Sequence, residues 1–213
     1  NKTLSAYIND LVISETLLSA PENHSRLNIE VLTLSKYMYN RIDGYPRILS
    51  FQAQANRISR IGHLIPLSNQ FLIDEVEYLL GRLNEEGLED YLEIERTGRG
   101  TMPRVEKPLR RRILDEVVYP YIRSKEVDKI LDWNDIATLF TKNKIDNIHI
   151  AIIDEAQDFS ANQLKAITNQ LSDINFTTII LDSNQKIYKR GFTWKEAGIN
   201  ITNTRYARLE FNY

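Results

Sequence analysis

Cysteine is absent from the 213 residues. That excludes a disulfide framework, a thiolate zinc site and a cysteine nucleophile. It fits a reducing compartment, and a cytoplasmic location is the expectation. Long apolar runs are missing too. Nothing approaches the roughly 18 residues that a membrane-spanning helix needs, so no membrane partner is expected. The start shows no signal-peptide pattern of basic residues, apolar stretch and small-residue cleavage site. Glycine (8) and proline (6) are sparse, and neither a low-complexity tract nor an internal repeat occurs. Charge of one sign is not in excess: 27 basic and 29 acidic residues give −2. Global charge therefore does not suit a protein that coats nucleic acid, although a local patch remains open. His24, His63 and His149 have no ligand spacing to one another. His149 lies in a run that reads as a buried strand and is expected to be a packing residue. No Ser/His/Asp order supports nucleophilic catalysis.

What is present suits a globular protein of ordinary composition, 42% hydrophobic and 26% charged, large enough to bury a core. The chain opens at Asn1-Lys2-Thr3 and stops at Glu210-Phe211-Asn212-Tyr213, inside what reads as structured sequence. The expectation is a fragment of a longer protein.

Residues 1–19 read as a helix carrying Leu4, Ile8, Leu11 and Leu18 on one face. Residues 28–34 have strand composition, and 35–42 read as helical up to Asp43-Gly44. From 45 to 130 the pattern is mainly helical. Leu72, Val76, Leu79, Leu80 and Leu83 form an amphipathic stripe over 69–83. A second helix spans 104–123, with Pro120 bending or stopping it, and a short third covers 135–140. The last third changes character. Residues 148–153 (IHIAII) form an apolar run of strand length that ends in Asp154-Glu155. A helix follows, with Ser160 and Gln163 at capping-box spacing and Leu164, Ile167 and Leu171 as its buried stripe. Residues 177–181 (TTIIL) then form a second strand, which again ends in an acid, Asp182. Strand, helix, strand is a βαβ unit, which builds parallel sheet. Ligands of open parallel sheets bind beyond the carboxyl ends of the strands, where both acids stand.

An apolar strand that delivers two consecutive carboxylates to such an edge suits a divalent cation. Mg²⁺ takes hard oxygen ligands, often one or two carboxylates together with substrate phosphates. Asp154 would serve the metal, and Glu155 could accept a proton from a water attacking a phosphate. The plainer account is that the pair begins the next helix, where negative charge suits the dipole. Gln185, 31 residues after Asp154, sits in a polar segment after the second strand. Its amide could reach a γ-phosphate, although Asp, Ser and Asn there also make an ordinary turn.

The segments IIDEAQD (152–158), DSNQKIY (182–188), RGFTW (190–194) and RLEFNY (208–213) resemble, in order and spacing, the superfamily 1 helicases of the UvrD/Rep type. They correspond to that family's Walker B motif, its QxIY motif and the start of its NYR motif. Asn1-Lys2-Thr3-Leu4, Thr33-Leu34-Ser35, residues 96–112 and Asp132-Trp133-Asn134-Asp135 are weaker matches, so the resemblance covers nearly the whole chain.

The resemblance implies an α/β fold of the P-loop NTPase (RecA-like) type. Its parallel-sheet motor lobe would be built from residues 1–44 and 131–213, with 45–130 as a mainly helical inserted subdomain. It implies an ATP-dependent DNA helicase or translocase that couples Mg-ATP hydrolysis to movement on single-stranded DNA and duplex unwinding. Asp154 would bind Mg²⁺ and Glu155 would activate the hydrolytic water. Gln185 would contact the γ-phosphate, with Arg190 beside the nucleotide and Asp182 in the same coupling loop. Thr33, Arg99, Arg104, Tyr188, Phe192 and Trp194 are the candidate contacts to DNA. Many family members place a Trp two residues after this Tyr; here the position is Arg190. Phe192 or Trp194 could stack on a base instead, while a Trp such as Trp194 is more often a core residue. The Gly-rich loop GxxxxGK followed by Ser or Thr, which cradles phosphates, does not occur, and no arginine follows Asn212-Tyr213. Truncation on both sides, removing half of the ATP site and the second motor lobe, accounts for both departures. The fragment alone is then expected to be inactive. The rival reading is a helicase-like module without turnover that binds nucleic acid or a partner protein.

Residues 96–112 hold seven basic side chains against Glu106 alone. Such a run can neutralise phosphates without sequence preference. It can equally be a solvated helix face, with Arg110 or Arg112 paired to Glu116.

Overall fold

The computed structural model describes residues 2–15, 28–44, 46–95, 103–181, 193–200, 205 and 207. The chain divides into two compact units, Asn1–Pro46 and Arg47–Tyr213. Its described residues are mostly helical, with a two-stranded parallel sheet, which makes the fold mixed α/β. Among them no helix is long and apolar enough to cross a membrane.

In the first unit, α1 spans Lys2–Ser14 and α2 spans Leu34–Tyr39. The strand expected over 28–34 does not form. Residues 28–33 lie outside any ladder, and the Thr33 hydroxyl accepts the N–H of Lys36 at 3.3 Å, starting a helix there. A capping oxygen within three residues was enough, whereas a strand needs a partner. Arg41 closes this segment on itself, pairing with Glu30 at 2.8 Å and stacking 4.1 Å from the Tyr37 ring centroid.

In the second unit, serine hydroxyls start the first two helices. Ser50 caps α3 (Phe51–Ile61) and Ser68 caps α4 (Asn69–Leu80), each accepting an N–H three residues on. The apolar stripe of α4 is buried as its spacing requires: Leu72, Val76 and Leu79 are at most 1% exposed. A 3-10 segment follows at Glu85–Leu92.

The next helix differs from expectation. It runs through Pro120 as α5 (Lys107–Ile113), a π turn (Leu114–Val118) and α6 (Tyr119–Asp128). In the π turn the N–H of Tyr119 reaches back five residues to Leu114 O. The ladder thus changes register just where Pro120, which has no N–H, joins the first turn of α6. This helix packs Ile113, Leu114, Val117, Val118 and Tyr121 into one core with α3 and α4. A parallel bridge between Ile48 and Leu131 brings the two ends of the mainly helical region together.

Beyond it lie α7 (Trp133–Lys142), β1 (Ala151–Ile153), α8 (Ala161–Thr168) and β2 (Thr177–Ile179). Asp132 begins α7 with a capping box closed by Asp135. Ser160 and Gln163 close the expected box on α8, and Leu164, Ile167 and Leu171 are buried. The strands pair in parallel, Ala151 with Thr177, Ile152 with Thr178 and Ile153 with Ile179. Ile153 faces the core, while Ile150, Ile152 and Ile180 are exposed. His149 is exposed and not a packing residue: the regular strand begins two residues later, and His149 sits in the bend that leads to it.

Candidate active site

The β1–β2 ladder outlasts both strands. Ile180 N–H donates to Ile153 O at 2.8 Å, and Ala156 N–H donates to Ile180 O at 3.1 Å. The two residues between those bonds on the first segment are Asp154 and Glu155. The turn that carries them is therefore fixed by backbone to the carboxyl end of β2.

Within the turn, Asp154 Oδ1 accepts the N–H of Glu155 at 2.9 Å. Glu155 is left-handed, with φ 52° and ψ 38°, a conformation costly for any residue with a Cβ. Gln157 Nε2 donates to Glu155 Oε2. Ala156, 1% exposed, packs the turn down. A 3-10 turn, Ala156–Asp158, separates the acids from α8, whose first turn holds no acid. A role for the pair at the start of α8 is thereby removed. Asp154 is exposed and Glu155 half-buried. The donor set, two neighbouring carboxylates at a sheet edge with Asp154 open to solvent, fits a hard divalent cation that retains waters.

Gln185, Arg190, Tyr188, Phe192, Arg99 and Asp182 lie outside the described residues. Leu181 brings the chain to the same edge, one bond past Ile180. Trp194 is half-buried and belongs to a turn in which Ile199 N–H donates to its carbonyl at 2.9 Å. Thr33, in the first unit, has its hydroxyl engaged as the cap of α2.

The residues that hold this region together carried little signal in the sequence. Arg82, 9% exposed, pairs with Glu196, and Glu196 Oε2 accepts from Thr193 N at 2.6 Å. This clasp ties 193–200 to the turn that follows α4. Burial would raise the Glu196 carboxyl, but hydrogen bonds from Thr193 and Arg82 outweigh it and hold the group below the usual carboxylate range. Gln170, 0% exposed, is a second clasp. Its Nε2 donates to Phe140 O and Asn143 O, and its Oε1 accepts from Ile145 N and Asp146 N. It joins the ends of α7 and α8 to the segment that enters β1. Its only advance sign was an amide at the end of an apolar helix, which many surface residues share.

Among the described residues of the basic run, Lys107, Arg111 and Arg112 pair with acids outside its window. Arg111 makes two bonds to Glu89, at 2.6 and 2.9 Å, and Arg112 two to Glu116, at 2.8 and 3.0 Å. Lys107 pairs with Glu93 at 2.6 Å. Arg110 donates to the carbonyls of Tyr91, Ile94 and Val105. The hydrogen bonds from Arg111 and Arg112 hold Glu89 and Glu116 below the usual carboxylate range. Arg104, with 81% of its side chain exposed, meets Glu106 at 3.1 Å and is the arginine of the run most open to a phosphate among the described residues. Compared with protein-family models and with curated proteins, the chain matches none of them.

Proposed function

We propose that this chain is part of an ATP-dependent DNA motor, a helicase or translocase, and that Asp154, Glu155 and Gln185 belong to its nucleotide site. One observation carries the reading. Two parallel strands end side by side, and the turn from the first presents consecutive carboxylates at their carboxyl edge, ahead of a 3-10 turn and clear of the start of α8. Open parallel sheets bind phosphates at that edge. A left-handed glutamate kept there despite its cost is the kind of strain that functional sites retain.

Asp154 would hold Mg²⁺ through its exposed carboxylate. The ion's chemistry there is to offset the charge of the nucleotide phosphates. Glu155 accepts a proton from the attacking water, and Gln157 holds the carboxylate toward that task. Gln185 follows β2 and senses the terminal phosphate. The P-loop (RecA-like) architecture, with 45–130 as an inserted helical subdomain, is part of the same proposal. So are single-stranded DNA as partner, Arg104 among its contacts, and a cytoplasmic setting.

The test is ATP hydrolysis by the protein that carries this chain, with and without single-stranded DNA, and with Glu155→Gln as the control. The reading expects DNA-stimulated turnover that the substitution removes. DNA binding with no turnover in the unsubstituted protein would favour the helicase-like binding module instead.

A further inference from the structure

A cluster of acids, buried at Asp132 and half-buried at Glu77 and Asp135, joins α4 to α7. Three carboxylates, Glu77, Asp132 and Asp135, lie around one ammonium, Lys125, which bonds only the two aspartates. Lys125 is 3% exposed and Asp132 0%. Lys125 Nζ lies 2.7 Å from Asp132 Oδ2 and 2.6 Å from both oxygens of Asp135. Tyr121 donates its hydroxyl to Asp132 Oδ2 at 2.7 Å. The cation is thus fully used by the two aspartates.

Glu77 is left with amides. Its Oε1 accepts from Gln54 Nε2, and its Oε2 from Asn134 Nδ2 at 3.2 Å. Among the described residues no cation hydrogen-bonds to it, and Lys125 acts on it only through its charge. Helix α3 offers Gln54 and sends Arg57 to Ser124 and Asp128. Helix α6 offers Lys125 and Tyr121, and α7 offers Asp132, Asn134 and Asp135. A fully ionised joint would hold three negative charges against one positive, in a medium that supports unpaired charge poorly. One proton restores most of the balance. A protonated Glu77 needs an acceptor, and the Gln54 amide supplies one when turned over.

We propose that Glu77 is the proton-binding site of this joint, and that the seam between α4 and α7 is tight while Glu77 carries its proton and looser once it is lost. Burial, the largest cause, pushes this carboxyl from 4.5 up to about 7, with the Asn134 hydrogen bond acting against it. Asp135 is also raised, by burial and then by Asp132. A raised carboxyl favours the closed form below the ordinary glutamate range. Opening releases the proton, so the advantage is lost as pH climbs toward the raised value.

The experiment uses the full 213-residue chain labelled with ¹³C at glutamate side-chain carboxyls, with the Glu77 resonance assigned through Glu77→Gln. That resonance is expected to titrate near pH 7. Hydrogen exchange of the α7 amides, corrected for intrinsic rates, gives the opening constant. The constant should rise by up to tenfold per pH unit between pH 5 and 7 and level off above. Glu77→Gln, which keeps the shape without the titration, should flatten that rise. A Glu77 resonance that titrates near 4.5, or an equal pH slope in both proteins, overturns the proposal. Should Glu77→Gln fail to fold, the Glu77 carboxyl is assigned by through-bond correlation to its own backbone amide, and its titration in the unsubstituted chain decides.

Discussion

Ala156 donates its backbone N–H to the carbonyl of Ile180 at 3.1 Å. That bond sets the acidic turn after β1 across the end of β2, and with it the position of Asp154 and Glu155. Two short apolar runs become one edge because two further backbone hydrogen bonds continue their pairing past the regular strands.

Glu155 occupies a left-handed conformation that costs a residue with a Cβ about 1–2 kcal/mol relative to glycine. Glu155→Gly removes that cost and also the bond from Gln157. The expected result is a chain more stable by up to about 1 kcal/mol, read from urea denaturation. A clear loss of stability would mean that the glutamate serves the fold rather than a function.

Gln170 makes four hydrogen bonds from a fully buried site. Gln170→Ala leaves the N–H groups of Ile145 and Asp146 without that acceptor and opens a cavity. A loss of about 2–4 kcal/mol is expected in chemical denaturation. A change under about 0.5 kcal/mol, the range of ordinary surface substitutions, would refute the clasp.

Gly62 marks the closest approach between α3 and its neighbours. A Cβ there would lie 2.2 Å from Leu72 Cδ2 and 3.3 Å from Val117 Cγ2. Leu72 is 1% exposed and has little room to yield, so Gly62→Ala should destabilise by about 1–3 kcal/mol. Elsewhere at a helix end the same change is mildly favourable, which makes the sign of the shift informative.

Within the basic run, Arg111 and Arg112 are committed to Glu89 and Glu116, and Arg104 is the freer. Affinity for single-stranded DNA should fall with salt and with Arg99→Ala plus Arg104→Ala, while Arg112→Ala has the smaller effect. Fluorescence anisotropy across a salt series measures both. Binding unchanged by the double substitution would make the run a solvated face.

Features set by neighbours in sequence were legible in advance. The Ser160–Gln163 box needs three residues, the stripe of α4 needs only helical spacing, and the acids after β1 follow from an abrupt end to an apolar run. The paired strands follow from the same pattern. Competing local chemistry overturned other expectations. The hydroxyl of Thr33 starts a helix where composition suggested a strand, and a π turn lets a helix pass Pro120. What stayed hidden joins distant positions. Glu77 meets its amides 23 and 57 residues away, and Arg82 meets Glu196 across 114. In the run 96–112 the pairing of Arg112 with Glu116 follows from helical spacing, whereas Glu89 and Glu93, which meet Arg111 and Lys107, lie well before it.

The most direct test of the nucleotide-site account is the rate of DNA-stimulated ATP hydrolysis by the protein that carries this chain, compared with its Glu155→Gln variant. Removing a general base slows such a reaction by about 10²–10⁴-fold, and a loss in that range is the predicted result. Hydrolysis that continues at the unsubstituted rate would contradict the role given to Glu155 and, with it, the assignment of the β1 edge.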